Sequence, residues 1–253
     1  SKSHLLECLY YLGEKDKFYK YYKELIANNN INPLLSSIGS HASIRFGVSN
    51  KENPFCSDPF AYIKKENISD ANELNEDLIS SILKFHNSGE SDPKSQPLLS
   101  NGKQSSGNIF LNQREDIQKL KEILNKKINN YLKEFGKSNE GFIKKWPEKY
   151  NIYGWLVSIN TGGSLAAHIH KEGWLSGSLY FKMPTKKTSH EGNIVFSYNG
   201  ANYPTDGKEF HEKSVDVNKG DLVLFPSSLF HHTIPFKSTE ERVTFAFDII
   251  PQN

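Results

Sequence analysis

The spacing of hydrophobic residues changes near residue 150, from a helical period to a strand-like one. Before this point apolar side chains recur every three or four residues, as at Ile117, Leu120 and Leu124, and this spacing predicts a long amphipathic helix over 113–135. Beyond it, short alternating segments separated by Gly, Pro, Asn or Asp predict strands. The pattern therefore predicts an α+β protein in which the helices come first and the sheets follow.

The predicted strands are short and evenly spaced, which is typical of a sandwich or a barrel-like jelly roll. A long helix ahead of such a barrel commonly packs against one of its sheets. The strands are predicted at 153–159, 176–182, 194–198, 215–217, 221–225, 232–236 and 242–249.

The start of the chain predicts two short helices joined by a turn. Gly13 can end the first helix in a left-handed conformation, and Asp16 can cap the second. Such a hairpin is like half of a helical repeat. We therefore interpret 1–30 as the remnant of a helical-repeat region and 31–253 as the main domain, with its β core at about 150–251.

The remaining part of the first half is predicted to be mostly irregular. Turn clusters interrupt 31–70, whereas about 71–86 predicts a further helix. The segment 87–106 is rich in Ser, Gly and Pro, which predicts a mobile loop. Such a loop either covers a binding pocket or serves only as a connector.

Composition narrows the classes of partner. The formal net charge is +2 and lysines are mixed with acidic residues, so neither nucleic acid nor a membrane is expected as a partner. No apolar run reaches the ~18 residues that a spanning helix needs. Cys8 and Cys56 are expected to be buried free thiols, which favours a cytoplasmic location. The start at Ser1 and the single methionine, Met183, suggest a fragment of a longer protein.

Two tight histidine pairs are the strongest chemical signal, His168 with His170 and His231 with His232. Residues i and i+2 of a strand face the same side, so the first pair can point into one pocket. A third donor from a distant strand would complete a metal site. Because imidazole binds iron, zinc, copper and nickel, the pattern predicts a metal without choosing it.

A single arginine is conspicuous near the end of the chain. Arg242 begins an apolar strand that continues with Val243, Phe245 and Phe247. A charged side chain in such a strand is costly unless it meets an anion, and the planar guanidinium suits a carboxylate. The alternative interpretation is an edge residue that faces solvent.

Four motifs in the second half can be read together. They are His168-Ile-His170, Trp174-Leu-Ser-Gly177 with Tyr180, Phe225-Pro-Ser-Ser-Leu-Phe-His231 and Arg242-Val-Thr244. Over about 150–251, and more loosely toward the start, the chain resembles the 2-oxoglutarate/Fe(II) oxygenases that are often fused to tetratricopeptide repeats. The resemblance implies a double-stranded β-helix, or jelly roll, with buttressing helices and a short helical N-terminal segment.

The resemblance also implies a reaction and a set of roles. Members couple conversion of 2-oxoglutarate and dioxygen into succinate and CO2 with hydroxylation of a C–H bond. The second substrate is unidentified here, with a peptide or protein as a candidate, and a helical-repeat or partner domain is expected upstream. His168 and His231 are implied as Fe(II) ligands. Arg242 is implied to bind the far carboxylate of 2-oxoglutarate, with hydrogen bonds from Thr244 and Tyr180, whereas His232 has a supporting or surface role.

One position departs from the pattern of the superfamily. The residue two after the first histidine is commonly Asp or Glu, giving two histidines and one carboxylate. Here it is His170. Three solutions stay open: His170 is the third ligand, Glu172 supplies a carboxylate, or water fills the position. A three-histidine site is one charge more positive, which should weaken metal binding and strengthen anion binding.

Two other functions compete with this one. The first is a cupin-type metal-dependent dioxygenase, because a Gly before each of His168 and His231 imitates the cupin motifs. This alternative does not explain why Arg242 lies in an apolar strand. The second is a non-catalytic metal-binding interaction module that uses the helical N-terminus to bind a partner.

Overall fold

The computed structural model describes residues 2–69 and 74–252. Within these residues the helices are α1 Lys2–Tyr11, α2 Lys15–Ala27, α3 Pro33–Phe46, α4 Glu76–Asn87, α5 Glu115–Phe135 and α6 Gly141–Lys144. The strands are β1 Lys64–Asn67, β2 Leu99–Gln104, β3 Tyr150–Leu165, β4 Leu175–Lys182, β5 Ile194–Ser197, β6 Glu212–Val215, β7 Asp221–Pro226, β8 Phe230–Thr233 and β9 Arg242–Pro251.

The strands form two antiparallel sheets that face each other. The major sheet has the order β1-β7-β4-β9-β3-β2, and the minor sheet has the order β6-β5-β8. Tyr180 and Phe225 of the major sheet pack with Ile194 and Phe196 of the minor sheet in one apolar cluster. The neighbours in each sheet are distant in sequence, so the fold brings residues from the whole second half together.

The outer face of the major sheet is covered by α4 and α5. Ile117, Leu120 and Leu124 of α5 are fully buried and pack in the same cluster as Leu156 and Phe245 of the sheet. Successive side chains of a strand point to opposite faces. The outward residues of β9 therefore meet the helices, while the alternate residues face the minor sheet.

The helix α3 corrects the prediction that 31–70 is irregular. Asn32 caps it by accepting a hydrogen bond from the Leu35 N–H at 2.9 Å, Pro33 occupies its first turn, and Gly47 ends it at φ 66°. Its residues from Pro33 to Ala42 are all buried. A helix buried on every side carries no amphipathic stripe, so only its caps could have revealed it.

The first three helices form a layer of their own. Leu6 and Tyr10 of α1, Phe18 of α2 and Leu35 of α3 share an apolar cluster with Tyr203 and Phe230. The predicted helical hairpin thus packs on the rest of the chain. The domain boundary at residue 30 stays a prediction.

Other differences from the sequence-based expectations are local. The range 71–86, expected to be a helix, starts in residues outside those described, and within the described residues the helix is α4, Glu76–Asn87. Part of the segment 87–106 is ordered as β2, which pairs with β3. The last-but-one strand lies at Phe230–Thr233 rather than 232–236, and β1 was not expected. Within residues 2–69 and 74–252, no helix combines the length and apolarity that crossing a membrane requires.

The two cysteines differ in environment. Cys56 is fully buried, as expected, but Cys8 is exposed, which corrects the prediction of two buried thiols. The reason is helical geometry: α1 buries the face that carries Leu6 and Tyr10, and Cys8 lies off this face.

Candidate metal and 2-oxoglutarate site

Strand β9 supplies one wall of a cavity between the sheets. Arg242, Thr244 and Ala246 alternate along β9 and line the cavity. The residues between them, such as Val243 and Phe245, are buried against the helices. The alternation of a strand thus separates the polar cavity face from the apolar packing face.

The minor sheet and the segment after β3 supply the histidines. His231 lies in β8, and its backbone N–H and C=O pair with those of His168 at 3.0 and 3.1 Å. His168 forms only this isolated bridge, and His170 follows in extended chain outside any regular strand. The expected pair on one strand is therefore an irregular segment held in place by β8.

The three imidazoles converge through their Nε2 atoms. His168 Nδ1 donates to Ala166 O at 2.7 Å, and His231 Nδ1 donates to Leu229 O at 3.2 Å. His170 Nδ1 donates to the Asp248 carboxylate at 2.6 Å. Carbonyl and carboxylate oxygens accept, so Nδ1 is the donor in all three contacts and Nε2 is the nitrogen that is left to bind a metal.

This convergence fits a metal ion. The candidate ligand atoms of the three histidines all lie within 4.8 Å of one another, and Nε2 of His168 is 3.2 Å from Nε2 of His170. Two lone pairs so close repel each other unless a cation lies between them. Two nitrogens bound at ~2.1 Å and at right angles to one metal are about 3 Å apart.

Burial keeps two of the histidines neutral. It lowers the pKa of His168 to about 4, with a smaller contribution from the neighbouring His170. Burial also lowers the pKa of His231 well below its usual value, again helped by His168 and His170. Neutral imidazole is the form that binds a metal, so these two side chains need not lose a proton near neutral pH.

Arg242 is buried without a carboxylate. It is 4% exposed, and its Nε donates to Gly192 O at 3.2 Å. Its guanidinium lies 4.9 Å from the centre of the Tyr180 ring. Burial lowers the pKa of Arg242, yet guanidinium stays protonated in proteins. Among the described residues no acidic side chain pairs with it, so the interpretation as a solvent-facing edge residue is wrong.

Two hydroxyl groups beside this arginine also lack partners. The Oγ1 of Thr244 and the OH of Tyr180 are buried and make no hydrogen bond among the described residues. Leaving a buried hydroxyl unpaired costs about 1–3 kcal/mol. Together with Arg242 they form a polar group that suits an anionic ligand with several acceptor oxygens.

One cavity joins the three histidines to Arg242 and Thr244, whereas Tyr180 is not part of its lining. Its volume is ≈ 210 Å³, below the roughly 300–1,000 Å³ of pockets for drug-sized ligands, and it suits a small acid. His168, His170, His231 and Arg242 all line it. The segment 87–106 contributes Gln96, Leu98 and Gln104 to the lining, so the segment expected as a loop forms part of the wall.

The remaining candidates lie apart from the cavity centre. Glu172 is exposed and is absent from the metal-ligating group found among the described residues. His232 is half-buried and faces a separate depression with Asn199 and Glu212.

Sequence reasoning missed Asp248 and Ser176. Ser176 Oγ donates to the Asp248 oxygen that binds His170, at 2.7 Å. The signal available for Asp248 was its place an even number of residues after Arg242 and Thr244, which puts all three on one face of β9.

Comparison with known proteins finds one family model that matches part of the chain. Residues 153–248 match the family model described as "Putative 2OG-Fe(II) oxygenase". No curated protein matches the chain. The matched range contains the three histidines, Arg242 and Asp248.

Solved structures with the same fold include two prolyl hydroxylases and the protein HygX. A prolyl-4-hydroxylase from Pseudomonas putida has 14% identity, a TM-score of 0.52, and coverage of 76% of this chain and 93% of its own. The viral collagen prolyl hydroxylase of Paramecium Bursaria Chlorella virus-1 has 16% identity and a TM-score of 0.51, with 76% and 97% coverage. HygX from Streptomyces hygroscopicus, with nickel and 2-oxoglutarate bound, has 11% identity and a TM-score of 0.52, with 75% and 83% coverage.

At these identities the similarity establishes the fold, and it confirms the predicted α+β jelly roll with buttressing helices. Residues 153–248 thus form a domain that matches the model of the 2OG-Fe(II) oxygenase family.

Proposed function

We propose that this protein is a 2-oxoglutarate-dependent non-haem iron oxygenase that hydroxylates a C–H bond of an unidentified substrate and releases succinate and CO2. One observation carries the proposal: three histidines with hydrogen-bonded Nδ1 atoms and a buried arginine without a carboxylate line the same cavity. The histidines suit a divalent metal, and the arginine suits the far carboxylate of a small dicarboxylic acid.

The metal would be held by His168, His170 and His231. Bound Fe(II) supplies the reaction with dioxygen that amino-acid side chains cannot perform. The protein orients the three imidazoles through Nδ1 hydrogen bonds to Ala166, Asp248 and Leu229. The exposed position of Glu172 favours His170 over Glu172 as the third ligand.

The co-substrate would be held at its far end by Arg242. A bidentate guanidinium–carboxylate pair fixes both position and orientation, which places the reacting end of 2-oxoglutarate toward the histidines. The unpaired hydroxyls of Thr244 and Tyr180 would donate to the same carboxylate. Such a ligand would satisfy three groups that otherwise carry a cost of burial.

The second substrate would approach through the cavity mouth. Leu98 at this mouth is 44% exposed, and the half-buried Trp155 lies deeper beside His170 at 5.5 Å between ring centres. Two of the similar structures are prolyl hydroxylases, so a peptide or protein substrate is our candidate by analogy. A cytoplasmic location and an upstream helical-repeat or partner domain also stay predictions.

The alternatives explain less. A cupin-type dioxygenase gives Arg242 no ligand to bind, although its burial without an acidic partner needs one. A non-catalytic interaction module does not explain why the three Nε2 atoms converge. The family match over 153–248 favours the oxygenase over both.

Anaerobic titration and oxygen uptake test the proposal. Protein loaded with Fe(II) should bind 2-oxoglutarate with a new visible absorption band, and on exposure to air should form succinate as it consumes oxygen. His231→Ala should abolish both signals, whereas Glu172→Gln, a change in an exposed side chain of the same segment, should keep them. Oxygen uptake without need for 2-oxoglutarate would support the cupin alternative, and absence of 2-oxoglutarate binding by metal-loaded protein would refute the proposal.

A further inference from the structure

The proposed metal site has no negatively charged side chain among its ligands. Its three ligands would all be imidazoles, and the cavity is also lined by the cation Arg242. A divalent metal in this place would have no anion among its protein ligands. The carboxylate of Asp248 contacts one of these ligands, His170, rather than the metal position.

The contact of Asp248 with His170 is close and buried. One carboxylate oxygen of Asp248 accepts from His170 Nδ1 at 2.6 Å and from Ser176 Oγ at 2.7 Å. Asp248 is 7% exposed, and its only ion pair among the described residues is with His170. The charge of this buried carboxylate therefore interacts mainly with the His170 imidazole.

The surroundings hold the carboxylate in this place. Ser227 and Ser176 are joined by a hydrogen bond of 2.8 Å between their hydroxyl oxygens, so Ser176 is itself oriented toward Asp248. A Cβ at Gly173 would lie 2.7 Å from Ser227 Oγ and 3.1 Å from the Asp248 carboxyl carbon. Only glycine leaves room for this arrangement at position 173.

We propose that Asp248 is a positioning residue that supplies, one hydrogen bond away, the negative charge missing from the ligand set. It fixes the proton on Nδ1 of His170, so Nε2 presents its lone pair to the metal. It also polarises the imidazole, which makes His170 a more basic ligand than an isolated histidine. This inference rests on the proposed function, because it assumes that His170 binds the metal.

The proposal predicts opposite effects on two ligands. Removing the charge of Asp248 should weaken the binding of a divalent cation. The same change leaves the site more positive, so metal-saturated protein should bind the dianion 2-oxoglutarate as tightly as before or more tightly. General damage to the cavity would weaken both.

Asp248→Asn tests the charge, because asparagine keeps an acceptor oxygen of the same shape. Zn(II) is a suitable probe, since it has no redox chemistry and binds histidine. Affinity for Zn(II), measured by competition with a chromophoric chelator, should fall about 10–100-fold. Affinity of the zinc-saturated variant for 2-oxoglutarate, measured by calorimetry, should not fall.

Asp221→Asn is the matched control. Asp221 is also buried in the major sheet at 3% exposure, but it bonds Asn67 and the backbone of Asn218. This variant should bind Zn(II) within about twofold of the wild type. If Asp248→Asn fails to fold, Ser176→Ala replaces it. That change removes one hydrogen bond from the same oxygen and keeps the charge, so a smaller loss of Zn(II) affinity is expected.

Three outcomes separate the hypotheses. If the wild type binds no Zn(II), the proposed function fails rather than this inference alone. If the wild type binds and Asp248→Asn matches Asp221→Asn, the role of Asp248 is refuted. A parallel loss of Zn(II) and 2-oxoglutarate affinity would also refute it, because that result indicates structural damage only.

Discussion

Replacement of Arg242 by methionine separates binding from stability more sharply than any other single change. In the folded protein the guanidinium is desolvated, which costs several kcal/mol. Against this, a desolvated cation–π contact with Tyr180 contributes about 2 kcal/mol, and the hydrogen bond to Gly192 O about 1.5–3 kcal/mol. The opposing contributions nearly cancel, so Arg242→Met should change the free energy of unfolding by about 1 kcal/mol or less.

Binding of 2-oxoglutarate should respond very differently. Two charge-assisted hydrogen bonds to a carboxylate are worth at least about 3 kcal/mol together, which corresponds to about 150-fold in affinity. Calorimetry on zinc-loaded protein measures this affinity, and urea unfolding of the metal-free protein measures stability. Arg242→Lys should bind with intermediate affinity, because lysine keeps the charge and loses the planar fork.

The control is the other buried arginine of the described chain, Arg45. Its Nε donates to Asp206 at 2.7 Å and its Nη1 donates to Tyr10 O at 3.0 Å, far from the cavity lining. Arg45→Met should therefore destabilise the protein by about 1–3 kcal/mol and leave 2-oxoglutarate binding unchanged. The reasoning is refuted if Arg242→Met binds 2-oxoglutarate within about threefold of the wild type.

The other predictions concern the metal, the hydroxyl groups, pH and a helix cap. His168→Ala should lose measurable Zn(II) binding, as seen in chelator competition, because two histidines hold a divalent metal poorly. Thr244→Val should weaken 2-oxoglutarate binding by about tenfold in calorimetry, since a donor to the carboxylate is lost. Burial lowers the pKa of His41 to about 4. Its contribution to the free energy of unfolding is therefore complete above pH ~6.5 and falls by up to about 3 kcal/mol as the pH drops toward 4. Urea unfolding of the metal-free protein should reveal this loss. Asn32→Ala should lower the free energy of unfolding by about 1 kcal/mol, a loss of about 2–4 °C in melting temperature.

Each of these has a clear contrary result. Zn(II) affinity unchanged in His168→Ala would remove that residue from the ligand set. Full 2-oxoglutarate affinity in Thr244→Val would show that this hydroxyl does not donate to the carboxylate. His41→Gln should flatten the pH dependence between pH 7 and 5, and an identical profile would assign the loss of stability to other histidines. An unchanged melting temperature in Asn32→Ala would mean that the capping bond contributes nothing to stability.

Periodicity alone predicted much of the architecture. The helix expected at 113–135 is α5, Glu115–Phe135, because its apolar stripe faces one sheet and its other side faces solvent. The same holds for β4, β7 and β9, whose expected ranges agree to within two residues at each end. Helices that are buried on one side, and strands whose buried and exposed residues alternate, show this periodicity in the sequence.

Elements without a period were missed. Helix α3 is buried on all sides, and β2 lies in a polar segment whose strand conformation is imposed by pairing with β3. Neither carries a local signal strong enough to be read, since their stability comes from tertiary contacts.

The sequence by itself determined which residue types were available for chemistry: the paired histidines, the arginine in an apolar strand and the threonine two residues later. Only the tertiary structure decided how they meet. A backbone bridge between His168 and His231 brings together residues far apart in the chain, and the i, i+2 face of β9 carries Asp248 to His170. The carboxylate absent from the histidine motif therefore lies on a different strand. Its position depends on strand register, which is set by burial of whole sheet faces and not by any local run of residues.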